Sequence, residues 1–575
     1  MTREKKAAAA AAGVLLASAL TVGTVSGPAN NANDSSFAGS ITAIEEAVDN
    51  LVNKSVERGM DIEPPSESYT PGINGVIDGL DGMSPTSGTT RQVKVSKEGS
   101  LYRGDRVRVC QEFTATDQLR FAMGDVTIIA TVRGAVGAMG DNPIDQTTRI
   151  IILFGQNGQT KLKTVDMGDE MSMGNTIVIV DDEELTAASI AVDHHNRCYI
   201  AYNQDGDGVL TAVKCGKNRL NEVLWTDLWM DGGDPENICL AVEPKDNEAA
   251  VCCTRLPAGA TQDSAREAVL LDMALPPDGT EITNLGEEIV LTAAAQPALH
   301  GIDYSKDAYA KGWDMEYVHF WYDELGDQVR CNSIFITYPT SDEYRRGIIH
   351  IRRDRESVYT GTPKGPSTVM GYQMSQVYGS LPCADMERVC TGSAMGHMAG
   401  VALCHGVTKQ FGGPNGGSAT KSRVELELYT VTRDEDKPFC LWWRVSDNWY
   451  GTNISNVSVG HLKDGLLYFS FARGNNVYAA LSELRPGDSV QGPLVNVGAF
   501  KTFAAVEMVD ATRAVLIHDT NAGEGYIRVL QADRVVAETD GYHFDGTILE
   551  DGSTGDLIRA DITYWPDSQG EEESQ

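Results

Sequence analysis

One loop of the sequence has the residue types and the spacing of a calcium-binding site. Asn203, Asp205 and Asp207 alternate along the chain, and a glycine follows them. Calcium takes several oxygen ligands on a tight turn, and this spacing supplies three oxygen-bearing side chains. Lys214 stands where an EF-hand loop would place its glutamate, and Thr211 stands where other calcium loops add an acid. We therefore expect either calcium bound through the three polar residues or an ordinary Asp-Gly hairpin turn.

A second group combines aromatic rings with carboxylates, which is a common way for proteins to bind sugars. Its members are Trp313, Asp314, His319, Trp321 and Asp323. Rings stack on the apolar face of a sugar, while carboxylates accept hydrogen bonds from its hydroxyls. A glycoside hydrolase would also need two carboxylates about 5–10 Å apart. The alternative is a buried aromatic strand that ends in an acidic turn.

Cys383, Cys390, His397 and Cys404 recur every seventh residue, and His405 follows directly. Zinc accepts these ligand types. Short Cys-x-x-Cys pairs are missing, however, and Cys404 also fits one apolar face of a strand. The motifs of serine hydrolases, zinc proteases and P-loop proteins do not occur in the chain. The sequence therefore predicts no catalytic residue.

The charge of the chain limits the classes of partner that it can bind. The formal net charge is -34, which repels phosphate backbones and anionic membrane surfaces. We therefore expect no nucleic-acid partner. The eleven cysteines are scattered through apolar runs, as in Val251-Cys252-Cys253. This is typical of small core residues rather than of a disulfide framework, so we expect mostly reduced, buried thiols.

The N-terminal part differs from the rest. Residues 1–32 begin with Arg and Lys before an alanine-rich apolar stretch; this fits a secretory signal, a short membrane span or a helix buried in an assembly. Within residues 33–60, Ile41, Ile44, Val48 and Leu51 have the spacing of one amphipathic helix. Residues 61–91 are rich in Pro, Gly and Ser and predict a linker. Residues 566–575 form an acidic tail.

The stretch 92–565 consists of short apolar runs bounded by turn residues, which predicts β-strands. A unit of strand, polar turn, strand, longer loop and strand recurs about seven times, at 126–154, 189–213, 239–271, 315–338, 401–431, 457–481 and 504–530. Such repetition predicts an all-β fold, a β-propeller of about seven blades, with separate β-sandwiches as the alternative. Within the fifth unit, residues 424–428 alternate aliphatic residues with glutamates, which predicts a strand with one face in water.

The unit at 189–213 reads Ser-Ile-Ala-Val-Asp, then Tyr-Ile-Ala-Tyr, then Val-Leu-Thr-Ala-Val. It resembles one blade of the sialidase-like or NHL-like propellers. The Asp-box of sialidases, Ser-x-Asp-x-Gly-x-Thr-Trp, is absent, so the resemblance implies the architecture and not sialidase activity. The order of helical arm, linker and propeller resembles the layout of virion tail, nozzle or fibre proteins of tailed phages.

Two functions fit these features. The first is a non-enzymatic structural or adhesion protein, of the virion tail type, that displays its propeller for assembly or receptor binding. It would be located in a virion or outside the cell, form homo-oligomers and contact other virion or surface proteins through its arm, with a glycan or a receptor as a further partner. The second is a secreted glycan-processing hydrolase, which would explain the signal-like start and the Trp/Asp group.

Overall fold

A computed structural model of the full chain describes the strand-rich part. The described residues are 89–96, 99–136, 147–168, 170–193, 197–215, 220–243, 248–260, 266–275, 282–284, 288–291, 313–324, 327–339, 345–357, 369–376, 384–390, 399–412, 418–431, 439–446, 454–462, 466–485, 488–499, 501–510, 513–539 and 544–562. Every complete element that these residues form is a β-strand. Among them, no helix is long and apolar enough to cross a membrane.

Six sheets of four or five strands follow one another along the chain, and we number them blades 1–6. Blades 1–3 contain β3 (Thr127–Val136), β4 (Thr147–Gln156), β5 (Gln159–Met167) and β6 (Met171–Val180); β7 (Ser189–Val192), β8 (Arg197–Gln204), β9 (Asp207–Cys215) and β10 (Asn221–Met230); and β11 (Glu236–Val242), β12 (Glu248–Arg255), β13 (Glu267–Ala274), β14 (Thr283–Asn284) and β15 (Ile289–Val290). Consecutive strands pair antiparallel within each blade, and β15 pairs with β13.

Blades 4–6 have the same order. They contain β16 (Asp314–Glu324), β17 (Asp327–Pro339), β18 (Arg345–Ser357) and β19 (Val369–Gln376); β20 (Ala384–Cys390), β21 (Ala399–Gly412), β22 (Ser418–Val431) and β23 (Phe439–Ser446); and β24 (Ile454–Leu462), β25 (Leu466–Arg473), β26 (Asn476–Arg485), β27 (Asp488–Gln491) and β28 (Val495–Ala499).

A seventh sheet joins both ends of the described chain, and we call it the closing sheet. Its strands are β1 (Thr89–Val95), β2 (Arg106–Met123), β29 (Ala504–Met508), β30 (Arg513–Asp519), β31 (Glu524–Glu538), β32 (Gly546–Ile548) and β33 (Leu557–Ile562). The part β29-β30-β31-β2 is antiparallel throughout. β2 pairs with β31 from Val107 opposite Glu538 to Met123 opposite Glu524. An N-terminal strand therefore completes a sheet built by the C-terminal strands.

The first strand of each blade contacts the first strand of the next, and β29 of the closing sheet contacts both β24 and β3. These strands form the inner ring of a β-propeller, which confirms the predicted fold class. The ring holds six regular blades, and the count of about seven is reached only when the closing sheet is included. The segments 1–32, 33–60 and 566–575 and almost all of 61–91 lie outside the described residues, although β1 begins at Thr89.

Blades stack through apolar side chains on both faces of their middle strands. β8 and β12 each have six consecutive buried residues, as strands covered on both sides should. All seven described cysteines whose side chains are defined are buried and free of disulfides, which confirms the prediction for that set. Burial raises the pKa of the Cys215 and Cys253 thiols to about 12, so they stay protonated and unreactive at neutral pH.

Side chains near the start of several inner strands form hydrogen bonds to the next sheet of the ring. The backbone N–H of Leu240 donates to Ser189 Oγ at 2.9 Å, and that of Val459 donates to Asp385 Oδ2 at 2.7 Å. Similarly, Ala504 N–H donates to Asn456 Oδ1 at 3.1 Å. Each bond crosses from one blade to its neighbour and satisfies a backbone donor that the inner edge strand leaves unpaired. Blades 2, 5 and 6 thus share a short polar residue near the start of the inner strand.

The ring closes between β29 and β3, where Thr131 Oγ1 donates to Glu507 Oε1 at 3.2 Å. Burial raises the pKa of Glu507 to about 7, against the opposing effects of this hydrogen bond and of the Arg133 charge. Because an unfolded glutamate titrates near 4.3, the folded chain binds the extra proton between about pH 4 and pH 7. The contribution of Glu507 to the unfolding free energy therefore falls as the pH rises from about 4 to about 7, and it is constant above that range.

We expect Glu507→Gln to remove this dependence, because glutamine stays neutral at every pH. The variant should match the native chain near pH 4.5 and exceed its unfolding free energy by about 1–3 kcal/mol at pH 8. Urea unfolding of both chains at the two pH values measures the difference. Glu550→Gln is the control, since Glu550 is exposed and its pKa is lowered by Arg559. If the unfolding free energy changed equally with pH in Glu507→Gln and in the native chain, the expectation would be contradicted.

Candidate functional site

The predicted calcium loop is the tight hairpin between β8 and β9. Asp205 and Gly206 have φ values of 54° and 91°, as the central residues of an Asp-Gly turn require. Asn203 Oδ1 accepts the Gly206 N–H at 3.0 Å, and Asp207 Oδ1 accepts the Gly232 N–H at 2.6 Å. Two of the three proposed ligand oxygens therefore already stabilise the turn and its neighbouring loop. Calcium at Asn203, Asp205 and Asp207 stays a prediction, and it would have to replace these bonds.

The aromatic and acidic group is spread along β16, the inner strand of blade 4. Trp313 is buried beside the strand start and packs on Tyr338, with ring centroids 5.7 Å apart. A strand rises about 3.3 Å per residue, so Asp314 and Asp323 lie about 30 Å apart along it. The backbone thus keeps these two carboxylates from forming a close pair. The side chains of His319, Trp321 and Asp323 lie outside the described residues, and sugar binding by the group stays a prediction.

Asp314 itself has a structural partner. Its carboxylate accepts the backbone N–H of Met315 through Oδ1 at 2.8 Å and that of Met386, in blade 5, through Oδ2 at 2.7 Å. Asp385, one blade on, makes the corresponding bond to blade 6. The sequence contains the signal for this role, because Asp-Met-Glu stands both at 314–316 and at 385–387.

We expect Asp314→Ala to lower the unfolding free energy by about 1–3 kcal/mol, because the backbone donor of Met386 loses its acceptor. Asp385→Ala, at the equivalent position, should cost a similar amount. Denaturant unfolding of both variants checks this. A neutral Asp314→Ala beside a destabilising Asp385→Ala would contradict the structural role of Asp314 and favour a role in ligand binding.

A different set of polar side chains meets inside blade 5. His405 on β21 lies opposite Glu425 on β22, and Glu427 follows two residues later on the same face. His405 Nε2 is 3.6 Å from Glu427 Oε2 and 3.9 Å from Glu425 Oε2. One ligand atom from each residue lies within 4.8 Å of the others, and all three side chains are at most 1% exposed. We call these three residues the buried triad.

The buried triad corrects two expectations. The alternation over 424–428 predicted a face in water, but the glutamates are buried because the same face of blade 5 packs on blade 4, through Leu403, Tyr429 and Phe335 among others. Cys404 points to the opposite face, where it packs with blade 6. It is therefore separated from His405, with which it was grouped as a zinc ligand. Cys383, His397 and the Cys390 side chain lie outside the described residues.

The outer strands of blades 1 and 2 expose aliphatic side chains to solvent. These are Met173 and Val178 on β6, Leu220 just before β10, and Val223, Leu224 and Leu228 on β10, with exposures of 39–64%. We call them the outer-wall surface. The two strands are joined by reciprocal bonds, since Asn221 N–H donates to Asn175 Oδ1 at 2.5 Å and Asn221 Nδ2 donates to the Asn175 carbonyl at 2.7 Å. The two outer strands therefore touch at the blade boundary.

β10 lies at the edge of its sheet, so the outer-wall surface includes a strand that can pair with another chain. β10 is the last strand of its sheet and pairs with β9 alone among the described strands. Trp225 and Trp229 point inward and are buried, which fixes Leu224 and Leu228 outward. An edge strand with apolar side chains is a template for pairing with a strand of another chain. Sequence reasoning missed this surface because β10 has leucines among its exposed residues and tryptophans among its buried ones, so apolar residue type does not distinguish the two.

No family model matches the chain, and no curated protein matches it. Among solved structures, a Lactobacillus plantarum protein aligns over 69% of this chain and 100% of its own, with 14% identity and a TM-score of 0.35. The polysaccharide lyase Uly1 aligns over 77% and 99%, with 8% identity and a TM-score of 0.36. The six-bladed Aleuria aurantia lectin aligns over 77% and 97%, with 9% identity and a TM-score of 0.30. Values this low say nothing about activity, and the strand order itself establishes the propeller.

Proposed function

We propose that this chain is a non-enzymatic structural or adhesion protein, of the virion tail type, whose propeller is a rigid scaffold for attachment to another protein. The observation that supports the proposal is the outer-wall surface. Six exposed aliphatic side chains occur on the outer strands of two adjacent blades, and four of them, Leu220, Val223, Leu224 and Leu228, are on or next to β10. Contiguous apolar patches on soluble proteins usually mark interaction sites, because leaving them in water is unfavourable.

The occupant we propose is an extended segment of a second protein that adds to the edge of β10. Backbone hydrogen bonds to an edge strand supply affinity, and alternate side chains of the added strand would contact Leu224 and Leu228. With a net charge of -34, two copies of this chain repel each other, whereas a segment with Lys and Arg is attracted. The partner is therefore basic and apolar in alternation. Oligomerisation through residues 33–60 stays a separate prediction.

A peptide of alternating valine and lysine tests the surface directly. The native chain should bind it, and Leu224→Asp with Leu228→Asp should weaken binding at least about 10-fold, since each change buries a charge against the peptide. Leu557→Asp is the matched control, because Leu557 is 64% exposed on β33 of the closing sheet. Fluorescence anisotropy with a labelled peptide measures all three. Equal affinity of the native chain and the double variant would overturn the proposed occupant.

The hydrolase alternative has its own test. Purified monomers incubated with a panel of polysaccharides should leave the chain length of every polymer unchanged. Cleavage that persists in Leu224→Asp/Leu228→Asp would replace the structural proposal with the enzyme.

A further inference from the structure

We propose that the buried triad of His405, Glu425 and Glu427 binds one zinc ion inside blade 5. The geometry is the first argument. Ligands of a tetrahedral zinc at bond lengths near 2.1 Å lie about 3.4 Å apart. The observed separations of His405 Nε2 from the two carboxylates, 3.6 and 3.9 Å, are close to this value. They are also too long for direct hydrogen bonds.

The second argument is the lack of hydrogen-bond partners around the His405 imidazole. His405 is fully buried, and neither of its ring nitrogens has a hydrogen-bond partner among the described residues. Glu425 Oε2, which faces it, has none either. Buried polar atoms without partners are costly, so a group that satisfies several of them together is expected between them. A divalent cation does this with a neutral imidazole nitrogen and two carboxylate oxygens.

The surroundings fit ligands that are held in place. Tyr429 O–H donates to Glu427 Oε2 at 2.7 Å, and Arg423 donates to Glu425 Oε1. Groups of this kind orient the ligating carboxylates of metal sites. Because the triad is buried where blade 5 packs on blade 4, the role we assign to the ion is to stabilise the fold. The competing occupant is a proton on His405, which would form a buried ion pair with the carboxylates.

The experiment is a metal measurement on the full chain after stripping with EDTA and reloading with zinc chloride. The native chain should retain one zinc per chain, and its melting temperature should rise with zinc concentration. Glu427→Gln and His405→Asn should lose the retained zinc, and Tyr429→Phe should weaken binding about 10–100-fold. Glu507→Gln and His518→Asn, which change another glutamate and another buried histidine in the closing sheet, should retain it.

A folded native chain that retains no zinc and shows no rise in melting temperature overturns the proposal and leaves the proton as the occupant. Equal loss of zinc in the triad variants and the two control variants also overturns it. If the triad variants fail to fold, the native chain is loaded with cobalt and its visible absorption spectrum is measured. Absorption bands of tetrahedral cobalt would support the site, and their absence would contradict it.

Discussion

A chain that begins at Gly124, and so lacks β1 and β2, should not melt cooperatively. β2 contributes 18 residues to the closing sheet and pairs along most of β31. Its Phe113 is fully buried in a cluster with Leu481 and Leu530. Without β2 this cluster is exposed and β31 becomes an open edge, so the antiparallel part of the sheet that joins blade 6 to blade 1 keeps only β29, β30 and β31. Circular dichroism during heating measures the loss.

The control is a chain that begins at Ser87, which keeps every described strand. It should melt with the same cooperativity as the full chain. Phe113→Ala is a milder version of the same change and should cost about 3–5 kcal/mol, the usual effect of removing a buried aromatic ring. Cooperative melting of the chain from Gly124 would show that the ring does not need its N-terminal strand. An unfolded chain from Ser87 would place residues 1–86 in the folding core.

The fold could be predicted where neighbouring residues determine it. The recurrence of short strands and turns such as Asp205-Gly206 is a local property, and it indicated the propeller correctly. The pairing of β2 with β31 could not be predicted, because an alternating strand carries no information about which distant strand completes its sheet. The number of blades depends on that pairing, which is why the repeats alone left it approximate.

The candidate sites also separate into features that neighbouring residues determine and features that depend on contacts between blades. Glu425 and Glu427 alternate with aliphatic residues as solvent-facing residues do, and only the packing of the next blade buries them. Asp314 stands among aromatic residues and suggested a sugar site, while its carboxylate accepts a backbone N–H of the neighbouring blade. The repeated Asp-Met-Glu was visible in the sequence. Its meaning required knowing that equivalent positions of successive blades lie side by side.

Loss of the Arg149–Asp166 ion pair should destabilise the propeller as strongly as the loss of a large buried side chain. Arg149 is 1% exposed, and its Nε and Nη2 donate to the two oxygens of Asp166 at 2.5 and 3.1 Å. Its Nη1 donates to the carbonyl of Cys215 in blade 2, so one guanidinium joins blades 1 and 2. Asp166→Ala leaves a buried positive charge without a counter-charge. We expect the unfolding free energy to fall by about 3–5 kcal/mol.

Two further chains show whether the effect comes from the unpaired charge. Arg149→Met/Asp166→Leu removes both charges and should be clearly more stable than Asp166→Ala, because replacing a buried pair with apolar side chains is often neutral. Glu550→Ala breaks the exposed pair with Arg559 and should leave the unfolding free energy almost unchanged. Urea unfolding of these three variants beside the native chain gives the comparison. If Asp166→Ala were no worse than Glu550→Ala, water would have to reach Arg149, and blades 1 and 2 would be held together by their apolar contacts alone.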